Sequence, residues 1–545
     1  MKEGRRLTGE ADRHSPYGGV SAGLLLVGLH LALGLLLFDP TLFPGGDNAG
    51  YMILGDSLAS GQGYRDLYLP DAPLHTKYPP LYPVLLAALS ALGGLQLFKL
   101  ASLLITSLAV WTTYRLAERL AGRRAAVLAA GLFAISPVLL EYSHYVLSEA
   151  LFVTLVAASL LLLDRQTKQG GGSGGQFLLT GLAAGLVAAA LAFLTRTAGI
   201  PLLAAAILFF GIERRWRPFG AAIAVGGGAA GGWWLYQRIA SARYPSASGD
   251  SAPGYLTEML LRNPYDPAAG SASPVELLLR AADNAWTYLT VVLPQSLFGG
   301  AGGGLSVEPL LIGIGLLLAA LAFVGWAQRS MVRLGPAELF TPLYAVMLAL
   351  WPSVWTDQRF LLPLLPLLLA YAMRGADVLG RRVSGAAEAG LGSAVPAFVI
   401  AAALGLGAGY SVVSKTPERI GCMARYRAGD PCDPADFASF YAAARWASEN
   451  TPSDAVIVSR KPRIFFWLSG RRGDLYRYSA NPDDVLEGLE LLGTDYVVVD
   501  AISTTTDLYL VPAIRENLRR FRAVYDEGTP PTLVLRFEPE PFTAD

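Results

Sequence analysis

The sequence predicts an all-α polytopic membrane domain of about eleven transmembrane helices, followed by a small α/β domain outside the bilayer. Three observations carry this. Of the 545 residues, 53% are apolar and 16% charged, with a mean hydropathy of +0.41; soluble domains carry about 25% charged residues. Apolar runs recur from residue 20 to residue 412, most of them long enough to cross a hydrocarbon core. Beyond them the composition turns polar. The 43 basic residues equal the 43 acidic ones, so the basic excess of a nucleic-acid binder is missing. The hydrophobicity excludes a disordered chain.

Residues 1–18 form a polar tail, 19–413 the membrane domain and 414–545 the outer domain. Spans are expected at 19–38, 95–115, 124–140, 147–163, 177–193, 198–212, 218–236, 305–326, 337–353, 360–373 and 394–413. The stretches 81–94 and 283–298 are apolar but interrupted, as in helices lying in the interface. With the N-terminus in the cytoplasm, the inside loops hold Arg115, Arg119, Arg214, Arg329 and Arg381 among others. Their Lys and Arg content is about twice that of the membrane-proximal outside loops, which places the C-terminus outside. The first span is too long for a cleavable signal, and no clear small-residue site follows it. The run from Lys168 to Gly175 reads as a flexible cytoplasmic linker. Outer loops 39–94 and 237–304 far exceed the usual connection length, and their aromatic, Pro-rich and amphipathic content suggests lids resting on the membrane.

In the tail, helices are expected at 435–450, 483–492 and 510–520, with strands at 455–458, 496–499, near 521–525 and at 532–537. Strands alternating with helices suggest one α/β layer, and no glycine fingerprint for a dinucleotide is present. Cys422 and Cys432, the two cysteines of the chain, both fall in this outer tail; a disulfide suits an oxidising compartment, and two free thiols remain the other reading. A structural zinc site wants four ligands, and no His or further Cys lies nearby.

Ionisable residues collect at the outer ends of the spans: Asp47, Lys77, Glu149, Arg196 and Arg359. Charges this close to hydrocarbon are costly and commonly functional. Two carboxylates and three cations on one membrane face suggest chemistry on an anionic, lipid-borne substrate. Each residue also has a plainer reading. Asp47 suits the N-cap of a helix starting near Ala49. Lys77 suits a snorkelling lysine, and Glu149 sits in the positive field of a helix N-terminus. Arg196 and Arg359 suit lipid headgroups or neighbouring acids, Asp357 among them. His75 and His144, with Glu141 or Asp71, offer metal ligands, although outer-face histidines are more often simply hydrogen-bonded.

At these residues the sequence resembles the GT-C glycosyltransferases, in the branch of the protein O-mannosyltransferases and the lipid A aminoarabinose transferase (ArnT-like). Four places carry the resemblance. Asp47 opens a long first outer loop with an amphipathic stretch. Lys77-Tyr78-Pro79-Pro80 is a Lys-x-Pro-Pro-like element. Ser148-Glu149-Ala150-Leu151-Phe152 is a second acidic motif at the start of the fourth span. Arg359-Phe360-Leu361-Leu362-Pro363 lies at the start of the tenth. There are departures: Asn48 follows Asp47 where the family often has a second acid, Glu149 stands where Asp is frequent, and loop 237–304 matches nothing in the pattern.

The resemblance implies a GT-C fold and a monosaccharide donor linked to polyprenyl phosphate. An acceptor hydroxyl, on a glycolipid, polysaccharide or protein, would attack with inversion on the outer face. It implies Asp47 as general base and Glu149 as a second catalytic carboxylate that orients the acceptor, holds the loop carrying Asp47 or helps ligate a metal, with Lys77, Arg359 and Arg196 on the donor phosphate. His75, Tyr78 and His144 would line the substrate pocket. It fixes no cofactor and no metal ligands, and leaves room for a divalent cation. Together with the Ala-, Gly-, Leu- and Arg-rich composition it implies a bacterial inner-membrane enzyme. The rival class is a transporter or lipid flippase with an outer accessory domain, which would show internal repeats and polar sites near the midplane; a non-catalytic envelope scaffold is a third reading. The Gly-rich run Gly299–Gly304 reads as a hinge or as a plain connection.

Overall fold

The computed structural model describes residues 16–165, 175–243, 255–264, 269–299, 308–384, 391–430 and 432–539. Most of residues 1–18, the linker after Lys168 and the Gly-rich run beyond Gly299 lie outside the described residues. In chain order the membrane domain contains α1 (Pro16–Leu36), α2 (Gly46–Ala59), α3 (Leu81–Ser90), α4 (Leu95–Ala121), α5 (Arg123–Ile135), α6 (Pro137–Tyr142) and α7 (Glu149–Asp164). It continues with α8 (Gly175–Thr195), α9 (Ile200–Ile212), α10 (Trp216–Arg243), α11 (Tyr255–Leu260), α12 (Pro274–Thr287), α13 (Leu293–Phe298), α14 (Glu308–Val332) and α15 (Pro336–Leu350). It ends with α16 (Gln358–Leu361), α17 (Leu365–Ser384) and α18 (Leu391–Arg427).

By length and composition, α4, α14 and α18 are each apolar enough to cross a bilayer unaided; α1, α3, α8, α9 and α15 are apolar but shorter in their described parts. Breaks account for part of the difference from the expected spans. The run 124–140 is two helices, because Pro137 lacks a backbone N–H and holds Ser136 extended at ψ 132°. The run 360–373 begins with the short α16, capped by Asp357, and α17 follows three residues later.

The interface stretch starts earlier than 283. A capping box starts α12 at Pro274: Glu276 N donates to Ser273 Oγ at 3.3 Å, and Ser273 N donates to Glu276 Oε2 at 2.7 Å. Its exposed face carries Val275, Leu278, Leu279 and Trp286. Such a face suits the headgroup boundary.

Helices α14 and α17 meet backbone to backbone. A Cβ on Gly325 would lie 2.0 Å from Tyr371 O, and one on Gly375 2.0 Å from Leu321 O, so only glycine permits this approach. At the far end of the bundle, buried Asp164 lies 3.5 Å from Arg119 and 3.6 Å from Arg329. Buried Glu338 accepts from Tyr371 OH at 2.9 Å. This ties α4, α7, α14, α15 and α17 together away from the face described below.

The outer domain contains α19 (Ala435–Asn450), β1 (Ile457–Val458), α20 (Pro462–Ser469), α21 (Pro482–Leu491), β2 (Tyr496–Val499), α22 (Val511–Glu516), β3 (Phe521–Glu527) and β4 (Thr532–Phe537). The sheet runs β1-β2-β4-β3, parallel between β1 and β2 and antiparallel elsewhere. Val498 faces Val534 across β2 and β4. Val458, Val497 and Leu535 from the strands pack with Leu489 and Ile514 from the helices as one apolar core. The expected helix 510–520 ends as α-helix at Glu516 and continues as a 3₁₀ turn; α20 is an element the hydropathy pattern did not indicate. Cys422 and Cys432 form a disulfide at the junction. The domain is fastened to the first outer loop: Gly473 N donates to Tyr68 O at 2.8 Å, and Arg472 Nη1 to Pro70 O at 2.9 Å.

Candidate active site

Between the outer ends of the membrane helices and the C-terminal domain lies a cavity of about 530 Å³. Its lining includes Asp47, Lys77, Tyr78, Arg196, Arg359 and Phe360 from the membrane domain. Arg460, Lys461, Arg463 and Asp474 come from the outer domain, and Trp351 and Trp355 complete an aromatic wall.

Asp47 lies in the first turn of α2, which Gly45 caps without a side-chain hydrogen bond, so Asp47 is not the helix cap. Its carboxylate turns into the cavity instead. Oδ1 accepts from Tyr78 OH at 2.8 Å, Oδ2 accepts from Arg359 Nη1 at 3.0 Å, and Arg463 Nη1 stands 3.6 Å from Oδ1. Burial pushes this carboxyl up. The Arg359 and Arg463 guanidiniums, with the hydrogen bonds from Tyr78 and Arg359, outweigh burial and hold it at about 2.

Glu149 is 2% exposed and lies one layer behind the cavity. Oε1 is bound to Arg196 Nη1, and Oε2 is buried with no hydrogen-bond partner among the described residues. Arg196 Nη1 also donates to Ser148 Oγ at 3.1 Å, and that hydroxyl meets Tyr51 OH at 2.9 Å. Glu149 therefore sets the position of a cation that does face the cavity. The two carboxylates occupy separate hydrogen-bond spheres, and among the described residues no three His, Cys, Asp or Glu side chains converge as a metal site.

Lys77 faces the cavity and pairs with Glu258 of α11 at 2.9 Å. Arg359 is presented by α16, where Asp357 accepts from the Arg359 backbone N–H at 3.4 Å and leaves the guanidinium to Asp47. Tyr78 OH stands between Asp47 and Arg463, accepting from Arg463 Nη1 at 3.0 Å. His75 does not line the cavity. It is 2% exposed, holds Asp66 through Nδ1 at 2.9 Å and accepts from Tyr78 N through Nε2 at 2.7 Å, so it positions Tyr78. His144 is corrected more fully: its Nε2 bonds Gly34 O at 2.7 Å, deep between helices and away from the cavity. Sequence reasoning missed Arg460, Lys461, Arg463 and Glu258. Arg460, Lys461 and Arg463 lie together in a polar tail, where a charge gives little contrast, and Glu258 lies in a long loop that matches no element of the pattern.

In its fold, a helical bundle with a charged cavity roofed by an α/β domain, the chain is similar to solved membrane proteins of GT-C fold. Residues 77–231 match the family model for dolichyl-phosphate-mannose-protein mannosyltransferase. The chain is similar to the archaeal oligosaccharyltransferase AglB from Archaeoglobus fulgidus, solved with an inhibitory peptide and a dolichol-phosphate. The TM-score is 0.57 at 14% identity, over 88% of this chain and 69% of that one. It is similar also to ArnT from Cupriavidus metallidurans bound to undecaprenyl phosphate, with a TM-score of 0.55 at 16% identity, over 96% of this chain and 98% of that one. No curated protein sequence matches.

Proposed function

We propose that the protein is an integral-membrane glycosyltransferase that moves a monosaccharide from a polyprenyl-phosphate donor to a hydroxyl acceptor on the outer face of a bacterial inner membrane. The observation that carries this reading is the cavity itself, in which the Asp47 carboxylate stands among the cations Lys77, Arg196 and Arg359. Likeness to proteins solved with dolichol-phosphate and undecaprenyl phosphate supports a lipid phosphate as ligand.

The acceptor oxygen attacks the anomeric carbon from the side opposite the phosphate, the C–O bond to phosphate breaks, and the configuration inverts. Polyprenyl phosphate leaves with the bonding electron pair, already anionic, and needs cations rather than an acid. Lys77 and Arg359 supply them, and Arg offers bidentate contact. Asp47 takes the acceptor proton. A carboxylate held at about 2 is a weak base toward a resting hydroxyl. It gains basicity when the incoming phosphate draws Arg359 away, and the hydroxyl acidifies as the new bond forms. Glu149 keeps Arg196 in place, and Trp351 and Trp355 offer flat apolar surface to a sugar ring. The apolar face of α12 rests on the membrane while Glu258 of α11 holds Lys77, which links the outer loop to the donor site.

Detergent-purified protein is to be incubated with radiolabelled polyprenyl-phosphate sugars and a membrane extract. Transfer of one sugar is expected. Failure to bind any such donor overturns the reading and favours transport.

A further inference from the structure

Six cations line the cavity: Lys77, Arg196, Arg359, Arg460, Lys461 and Arg463. Four of them already face a carboxylate. Lys77 pairs with Glu258 and Arg196 with Glu149, while Arg359 and Arg463 share Asp47. Arg460 and Lys461 have no carboxylate within ion-pair distance among the described residues. Arg460 is held rigidly by neutral groups: its Nε donates to Thr505 Oγ1 at 2.8 Å and Ser503 Oγ at 3.2 Å, and its guanidinium lies over the Tyr478 ring at 5.7 Å. The Lys461 ammonium makes no hydrogen bond among the described residues.

These two residues end the turn from β1 into α20, directly before Pro462 at the helix start. The helix N-terminus adds positive potential on the same wall. Burial, with Arg460 alongside, pulls the Lys461 ammonium below its ordinary range, while Asp47 and Asp500 partly oppose this. Asp47 and Asp500 offset these two adjacent, partly desolvated cations only from beyond ion-pair contact, so an anion bound directly between them is favoured.

The geometry points to Arg460 and Lys461 as an anion subsite on the outer-domain wall of the cavity, one that takes a phosphate group. That phosphate belongs either to the lipid donor or to the acceptor, and the choice of source rests on the transfer reading above. The outer domain then contributes binding charge as well as a roof. Lys461 is the adaptable contact, a flexible point charge, and Arg460 the fixed one.

The test uses the full-length protein in detergent, titrated calorimetrically with a short-chain polyprenyl monophosphate. Inorganic phosphate is titrated separately, with and without saturating polyprenyl monophosphate. Wild type, Lys461→Gln, Arg460→Gln and Lys461→Arg are compared after their thermal melts are shown to agree. Lys461→Gln is expected to weaken one phosphate probe at least tenfold, with Lys461→Arg restoring it. Loss on the polyprenyl monophosphate assigns the subsite to the donor. Loss confined to inorganic phosphate at saturating polyprenyl monophosphate assigns it to the acceptor. Wild type that binds inorganic phosphate through Lys461 but no polyprenyl monophosphate keeps the subsite and refutes the lipid donor. Affinities within twofold of wild type for both probes in both Gln variants, or no binding of either probe by wild type, overturn the inference.

Discussion

Replacing Asp47 with Asn separates two jobs of one carboxylate. Asn keeps the shape and still accepts from Tyr78, but it cannot take a proton and no longer neutralises Arg359 and Arg463. The loss of a positioned base typically costs about 10²–10⁴-fold in rate. Binding of lipid phosphate should move the other way. Asp47 is held at about 2, against 3.8 for an ordinary aspartate, a difference that corresponds to about 2.5 kcal/mol of favourable interaction with its surroundings. The side chain is 37% open to the cavity, and solvent screening cuts this to about 1 kcal/mol. Arg359 shares that interaction with Arg463 and Tyr78, so releasing it should tighten polyprenyl monophosphate by up to about fivefold. The assay pairs a calorimetric titration with the radiolabel transfer assay on the same preparation. A folded Asp47→Asn protein that transfers sugar within threefold of wild type would refute the base assignment. Weaker phosphate binding would refute the competition for Arg359.

Glu149→Gln leaves the buried end of Arg196 without its counter-charge, which costs about 3–5 kcal/mol for a buried pair; the detergent melt should drop and transfer should fall more than tenfold, and an unchanged melt contradicts the pairing. Gly375→Val drives a side chain into Leu321 O and should destabilise the bundle by about 1–3 kcal/mol, whereas Gly313→Val, which meets nothing within 4 Å, is the neutral control. In the outer domain, burial raises the Asp500 carboxyl to about 6 despite hydrogen bonds from Ile502 and Thr506. The folded state then holds a proton that the unfolded chain releases at about 4, so stability falls as pH rises from about 4 to 6 and is flat above. Melts at stepped pH should show this slope in wild type and lose it in Asp500→Asn; an equal slope in both assigns it to another group.

The sequence disclosed one wall of the cavity and hid the other, for a physical reason. Asp47, Lys77, Arg196 and Arg359 stand beside apolar runs, where each charge is expensive enough to stand out. Arg460, Lys461 and Arg463 lie in a polar domain, where a run such as Ser459-Arg460-Lys461-Pro462-Arg463 looks like ordinary solvated surface. What gives them meaning is a long-range contact. Arg463 reaches Asp47 across more than 400 positions of chain and packs its stem against Gly50, where an added Cβ would come within 3.2 Å of Arg463 Cδ. No periodicity encodes that approach. The same limit explains His75 and His144: polarity and side of the membrane group them with the site, yet only packing shows that one orders Tyr78 and the other a helix carbonyl. Two of the cavity's cations share Asp47 with opposite origins, Arg359 from the membrane bundle and Arg463 from the outer domain. Asp47 is thus the electrostatic joint between the domains. A ligand that draws Arg359 away leaves Asp47 to Arg463 alone and strengthens the contact between the domains, so donor binding and the seating of the roof are coupled through a single carboxylate.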